Sequence, residues 1–155
     1  MPGSTSLYKI EVARHIASVA NLRSTADLGC GSGVWADLLG HGLMEAIEIH
    51  PPYIHEFGLE RKYRTVLDAD ICRLDFKQWH AWEYVIMGDV LEHLPIKTAQ
   101  AIVTRRTAWA KKLLVAVPYL SEQGPSHNNR YEAHIQADLT PEVMRERYPE
   151  LRLLI

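Results

Sequence analysis

Two hydrophobic periods alternate along this chain. Leu7, Ile10, Ala13, Ile16, Ala17 and Ala20 recur at helical spacing with polar residues between, which predicts a helix over 7–22. A short strand is expected at 25–28, then a helix over 34–39 closed by Gly40 or Gly42. Strands are expected at 44–49, 65–67, 84–87 and 113–117. Pro51-Pro52 favours a helix start, with the helix running toward Arg61. Residues 75–82 read as a short aromatic connection, with room for one helical turn. A helix over 97–111 turns Ala99, Ile102, Val103, Trp109 and Ala110 toward the core. Thr140 caps a helix that has Pro141 at its first position and Glu142 favourable to the dipole. A last apolar run covers 151–155. Alternating strands and helices predict parallel βαβ units in one α/β domain over 1–155: a doubly wound, mostly parallel sheet with helices on both faces. Ligands in such sheets bind at the carboxyl ends of the strands, where Asp27, Glu48, Asp70 and Gly88 should converge.

The chemistry concentrates first in Asp27-Leu28-Gly29-Cys30-Gly31-Ser32-Gly33. Glycines between a strand and a helix let backbone pass close to a ligand and tolerate positive φ. A dinucleotide loop, G-x-G-x-x-G, needs glycine at position 34, where this chain has Val34. Asp27 at the opening also disfavours phosphate and suits a ligand with an ammonium group.

That run resembles the first motif of class I S-adenosylmethionine (SAM) dependent methyltransferases. The resemblance is strong over 25–117 and implies a Rossmann-like methyltransferase fold, SAM as cofactor, and methyl transfer. It also implies roles. Glu48 ends the second strand about twenty residues after the first loop glycine, where a carboxylate accepts both ribose hydroxyls. Ala46-Ile47-Glu48-Ile49-His50-Pro51 is similar to the family pattern there, with His50 a mild departure. An acidic residue followed by an apolar one meets adenine after the third strand. Asp68-Ala69 and Asp70-Ile71 compete for that part, and the larger Ile71 favours the second. Cofactor contacts are thus expected from Asp27, Gly29, Cys30, Gly31, Glu48, Asp70, Ile71, Gly88 and Asp89.

Gly88-Asp89-Val90-Leu91-Glu92-His93-Leu94-Pro95 is similar to the family segment that walls the methionine part of SAM, its Glu-His pair lying near the acceptor. His93 and His134 are the candidate catalytic bases, although a hydrogen bond to backbone or core packing also accounts for His93. Asp89, Glu92 and His93 share one helical face by spacing. Some O-methyltransferases, among them ubiquinone-pathway and small-RNA 3′-terminal enzymes, hold a metal on such a pattern, and His127 or His134 could complete one. The base or acceptor-positioning role is preferred, with no metal expected. The polar stretch 118–134 is long for a connection and is expected to form a substrate-side lid. The chain stops where a sixth strand is expected. That implies a C-terminally shortened sheet, or an edge covered by a second copy or a partner subunit.

Composition narrows the picture only a little. At 155 residues and 47% hydrophobic, the chain can bury one sizeable core. A net charge of −2 gives no sign of nucleic-acid binding. Cys30 and Cys72 read as reduced thiols in a cytoplasmic setting. No apolar run approaches the ~20 residues of a membrane span. The leading expectation is a SAM-dependent methyltransferase acting on O or N of a small or terminal acceptor. The alternatives are an inactive SAM-binding partner subunit and, less favoured, a nucleotide-binding oxidoreductase.

Overall fold

The computed structural model describes residues 7–75, 81–126 and 128–154. Five strands form one wholly parallel sheet: β1 (Thr25–Leu28), β2 (Glu45–Glu48), β3 (Thr65–Asp68), β4 (Trp82–Gly88) and β5 (Ala110–Ala116). Their spatial order is β3-β2-β1-β4-β5. Asp27 on β1 pairs with Ala46 on one side and Ile86 on the other. The chain reverses its direction of travel across the sheet between β1 and β4, which opens a crevice at their carboxyl ends. The doubly wound α/β expectation holds.

Alternation along β4 explains the two cores. Tyr84 and Ile86 face α1 (Leu7–Val19), α2 (Val34–Leu39), α3 (Pro51–Glu56) and α4 (Leu59–Lys62), packing with Ile16, Trp35, Ile54 and Leu59. Val85 and Met87 face α5 (Ile96–Thr104) and α6 (Pro141–Arg147), packing with Ala99, Val103, Trp109 and Tyr148. Both clusters are almost wholly withdrawn from water, so the sheet is covered on both faces.

Four sequence expectations shift. The first helix is rotated: Val12, Ala13 and Ile16 face inward together with Lys9, while Ile10 and Ala17 are exposed. The helix after Pro51 breaks at Gly58, whose φ of 60° no helix accommodates, giving α3 and α4. The helix expected over 97–111 ends at Thr104, a single tight turn covers Arg106–Ala108, and Ala110 already pairs with Trp82 as strand. The run after Tyr148 forms no strand over the described residues, and Leu153 and Leu154 are exposed. The expected turn around 75–82 falls mostly outside the described residues, as does His127. No helix among the described residues is long and apolar enough to cross a membrane.

One glycine sets the crevice floor. A Cβ on Gly88, at the end of β4, would stand 2.3 Å from Nε1 of the fully buried Trp35. Gly88→Ala must therefore displace a packed indole, and overpacking of this kind costs about 1–3 kcal/mol. Urea denaturation should show stability reduced by that amount. Unchanged stability would mean that Trp35 repacks freely.

Candidate functional site

The glycine loop is fastened to β2 by its own backbone. Gly29 and Cys30 donate N–H bonds to the Ile47 carbonyl at 2.8 and 3.2 Å. Gly31 donates to Glu48 Oε2 at 2.8 Å, and His50 donates to Glu48 Oε1 at 2.9 Å. Gly29, Gly31 and Gly33 all have positive φ, a backbone course that favours glycine at each of them. A Cβ on Gly31 would meet no atom within 4 Å, so space for a ligand opens directly above the loop.

A cavity of about 760 Å³ lies over the strand ends, within the roughly 300–1,000 Å³ of small-molecule sites. Gly29, Cys30, Gly31, Glu48, Asp70, Ile71, Gly88 and Asp89 all line it. Of the two competing acidic frames, Asp70-Ile71 borders the cavity and Asp68 does not. Asp70 also accepts a hydrogen bond from the Cys72 N–H at 2.8 Å, which shapes the turn after β3. The Cys30 thiol is buried, which pushes its pKa far up and leaves it a packing group rather than a nucleophile.

Asp27 departs from its expected place. It is buried beneath the loop and is not part of the cavity wall. Its Oδ2 accepts a hydrogen bond from the Tyr63 hydroxyl, while Oδ1 has no partner among the described residues. Burial drives its pKa up to about 7, the Tyr63 bond opposing and Glu48 adding to the rise. An acid at the end of a strand looks the same in sequence whether it faces a ligand or packs under a loop.

Glu92, His93 and His134 come together in the cavity wall. Ligand-capable atoms of all three lie within 4.8 Å of one another. The His93 and His134 rings meet edge to face at 4.8 Å between centroids. His93 Nδ1 is 3.1 Å from the Ala133 carbonyl oxygen, and His134 Nδ1 is 2.7 Å from that of Ser121. A carbonyl can only accept, so each Nδ1 carries a proton and leaves Nε2 as the atom that can accept or ligate when the ring holds no second proton. Burial lowers the His93 pKa, which favours the neutral ring. Glu92 is 1% exposed, and neither carboxylate oxygen has a hydrogen-bond partner among the described residues. His93 Nε2 is 4.0 Å from Glu92 Oε1, beyond hydrogen-bond reach. Burial raises the Glu92 pKa to about 8. Asp89, grouped with this trio by spacing, turns away instead. Its backbone is left-handed, with φ 56°, and its side chain pairs with Lys9 Nζ at 2.6 Å.

The stretch 118–135 walls the cavity with Pro118, Ser121, Gln123, Asn129, Glu132 and His134. Glu132 accepts a hydrogen bond from the Tyr53 hydroxyl at 3.0 Å, which anchors this wall to α3.

Comparison with known proteins agrees with this architecture. No family model matches the sequence, and no curated protein is a significant match. Solved structures do match. One is the SAM-bound CalS10, an amino pentose methyltransferase from Micromonospora echinaspora involved in calicheamicin biosynthesis; TM-score 0.57, 18% identity, covering 76% of this chain and 52% of that one. Another is the small RNA methyltransferase HEN1, with TM-score 0.70 and 19% identity over 97% of this chain and 22% of that one. A third is the N-methyltransferase NodS from Bradyrhizobium japonicum WM9, with TM-score 0.62 and 12% identity over 92% of this chain and 80% of that one. The fold is thus that of the class I SAM-dependent methyltransferases. The chain spans about half of the first of these proteins and about a fifth of the second.

The Asp27 environment gives a signed pH prediction. A carboxyl with a raised folded-state pKa binds protons more tightly folded than unfolded, so its contribution to stability falls as pH rises from about 4 to about 7. Asp27→Asn removes that dependence. The stability of the parent protein relative to Asp27→Asn should therefore fall by up to about 4 kcal/mol over this window. Denaturation of both proteins across pH checks it, because groups not coupled to Asp27, Glu92 among them, act alike in each and cancel. A difference that stays flat with pH would refute the assigned cause.

Proposed function

We propose that this chain is a SAM-dependent methyltransferase that transfers a methyl group to an oxygen or nitrogen of a small or terminal acceptor. The observation that carries the reading is that one cavity is lined by Glu48, Asp70-Ile71, the open Gly31 and the Glu92–His93–His134 trio together. Its parts match the parts of one ligand. Glu48 is fixed by two N–H bonds and keeps lone pairs for ribose hydroxyls. Ile71 offers an apolar face to adenine beside the Asp70 acceptor. Bound SAM supplies an electrophilic methyl on a sulfonium, and the fold holds the acceptor in line with it.

Cofactor binding is tested by calorimetry with SAM and S-adenosylhomocysteine on the parent protein, Glu48→Ala and Gly31→Val. Loss of a charge-assisted pair costs about 1.5–3 kcal/mol, so Glu48→Ala should bind at least about tenfold more weakly. Gly31→Val fills the space above the loop and should bind neither ligand. Parent-like affinity in a folded Glu48→Ala protein would remove the ribose assignment.

His93 and His134 serve as proton acceptors through Nε2 when the acceptor must lose a proton. A second reading is favoured by the two Glu92 oxygens, which have no hydrogen-bond partner among the described residues. Two bare imidazole nitrogens and a carboxylate suit Zn²⁺, Mn²⁺ or Fe²⁺, and such an ion would polarise an acceptor oxygen. Radiolabelled methyl transfer to a panel of small O- and N-nucleophiles and RNA 3′ ends separates the roles. As a base, His93→Gln should lose about a hundredfold or more in turnover with SAM affinity unchanged, and chelators should have no effect. As a cation seat, the trio should bind Zn²⁺ or Mn²⁺ in a titration, His134→Ala should abolish that binding, and chelation should stop transfer until the ion is restored.

A further inference from the structure

The most buried acid of the cavity wall has its hydrogen bonds still to make. Glu92 lines the cavity and is 1% exposed, and neither carboxyl oxygen has a hydrogen-bond partner among the described residues. In either protonation state it keeps an accepting oxygen. His93 and His134, tied by Nδ1 to wall carbonyls, add Nε2 as an accepting atom each. One ligand-capable atom from each of the three lies within 4.8 Å of the others, and His93 Nε2 stands 4.0 Å from Glu92 Oε1. Donors are committed elsewhere. Lys9, the one Lys or Arg among the described lining residues, is held by Asp89 at 2.6 Å. The Gln123 amide donates to the Glu132 carbonyl at 2.7 Å.

We infer that Glu92, His93 and His134 form a seat for a primary ammonium group carried by the methyl acceptor. This deepens the SAM reading and rests on it. Three clustered acceptors complement a group with three N–H donors that needs no donor in return. Hydrogen bonds of about 2.8 Å from a tetrahedral nitrogen set their acceptors about 4.6 Å apart. A metal ion at about 2.1 Å would draw tetrahedral ligands to about 3.4 Å, closer than the 4.0 Å between His93 Nε2 and Glu92 Oε1. A hydroxyl brings one donor and would leave two of the three acceptors unmet. A cation in the seat also supplies Glu92 with the partner that its burial demands.

Methylammonium is the smallest probe of the seat. It is titrated into the full chain with chelator present, and the ring signals of His93 and His134 are followed by nuclear magnetic resonance. Loss of each signal in His93→Gln and His134→Gln assigns it. Methylammonium should shift both signals saturably. Tetramethylammonium, a cation without N–H groups, and methanol should not. Glu92→Gln, checked for folding by thermal melting, should weaken methylammonium at least about tenfold. No saturable shift, an equal shift from tetramethylammonium, or undiminished binding by a folded Glu92→Gln protein overturns the seat. So do rings that answer Zn²⁺ in chelator-free buffer but not methylammonium with chelator. In labelled-methyl transfer, ethanolamine should be methylated and ethylene glycol, which replaces the amine by a hydroxyl, should not; equal transfer to both also overturns it. The titration needs no cofactor, so failure of the protein to bind SAM or S-adenosylhomocysteine would overturn the SAM reading separately.

Discussion

The site depends on where three successive backbone N–H groups go. Those of Gly29 and Cys30 bond the Ile47 carbonyl, and that of Gly31 bonds Glu48. The next glycine, Gly33, donates back to Cys30 at 2.8 Å. A phosphate loop works by leaving such donors free to converge on an anion. Here they knit β1 to β2, and what the loop offers a ligand is open space above Gly31. The same bonds orient the Glu48 carboxylate, so ligand cradle and hydroxyl acceptor form one unit. Removing the Glu48 side chain would also release Gly31 and His50 N–H groups, which couples the recognition of a ligand to the shape of the loop.

Burial then determines the electrostatics. Asp27, Glu48 and Glu92 are all withdrawn from water at the carboxyl edge of the sheet, and all three have pKa values raised chiefly by desolvation. Burial thus favours the uncharged form of each carboxyl, which eases their crowding at one edge. Lys9, brought in from the far end of the chain, pairs its buried ammonium with Asp89 at 2.6 Å. The rotation of α1 follows from the same contact: with Lys9 on Asp89, the inward face runs Lys9, Val12, Ala13, Ile16, and Ile10 is left outside.

Much of this was legible in the sequence because period and punctuation are local. β1 and α2 fall where the glycines place them, and Thr140 caps α6 by accepting from the Val143 N–H. Glu48, Asp70 and Ile71 reach the cavity because strand ends in a parallel sheet share one edge. The misreadings arise where a residue's meaning depends on distant contacts. Lys9 reads as a solvated helix residue until Asp89, eighty positions on, is placed against it. Asp27 reads as a ligand contact until Tyr63 and the loop cover it. Trp109 and Ala110 are apolar enough for either helix or strand, and pairing with β4 decides for the strand at Ala110. The closeness of His93 and His134 could be inferred only by assuming that the intervening wall folds back.

That fold-back is built into the backbone. The Glu92 carbonyl accepts N–H bonds from both Ile135 and Gln136, at 2.8 and 2.9 Å. The Gln136 side-chain amide donates to the Leu91 and Leu94 carbonyls, and its oxygen accepts from the Tyr148 hydroxyl at 2.8 Å. His93 and His134 are each tied by Nδ1 to a carbonyl within the wall. The turn carrying Glu92 and His93 and the segment carrying His134 are therefore one hydrogen-bonded body, set by the buried Gln136 rather than by contact between the two rings. The two Nε2 atoms are held in place before any acceptor arrives, so orienting them needs no further loss of side-chain freedom. Preorganisation of this kind suits chemistry in which the protein's main task is to hold two reactants in line.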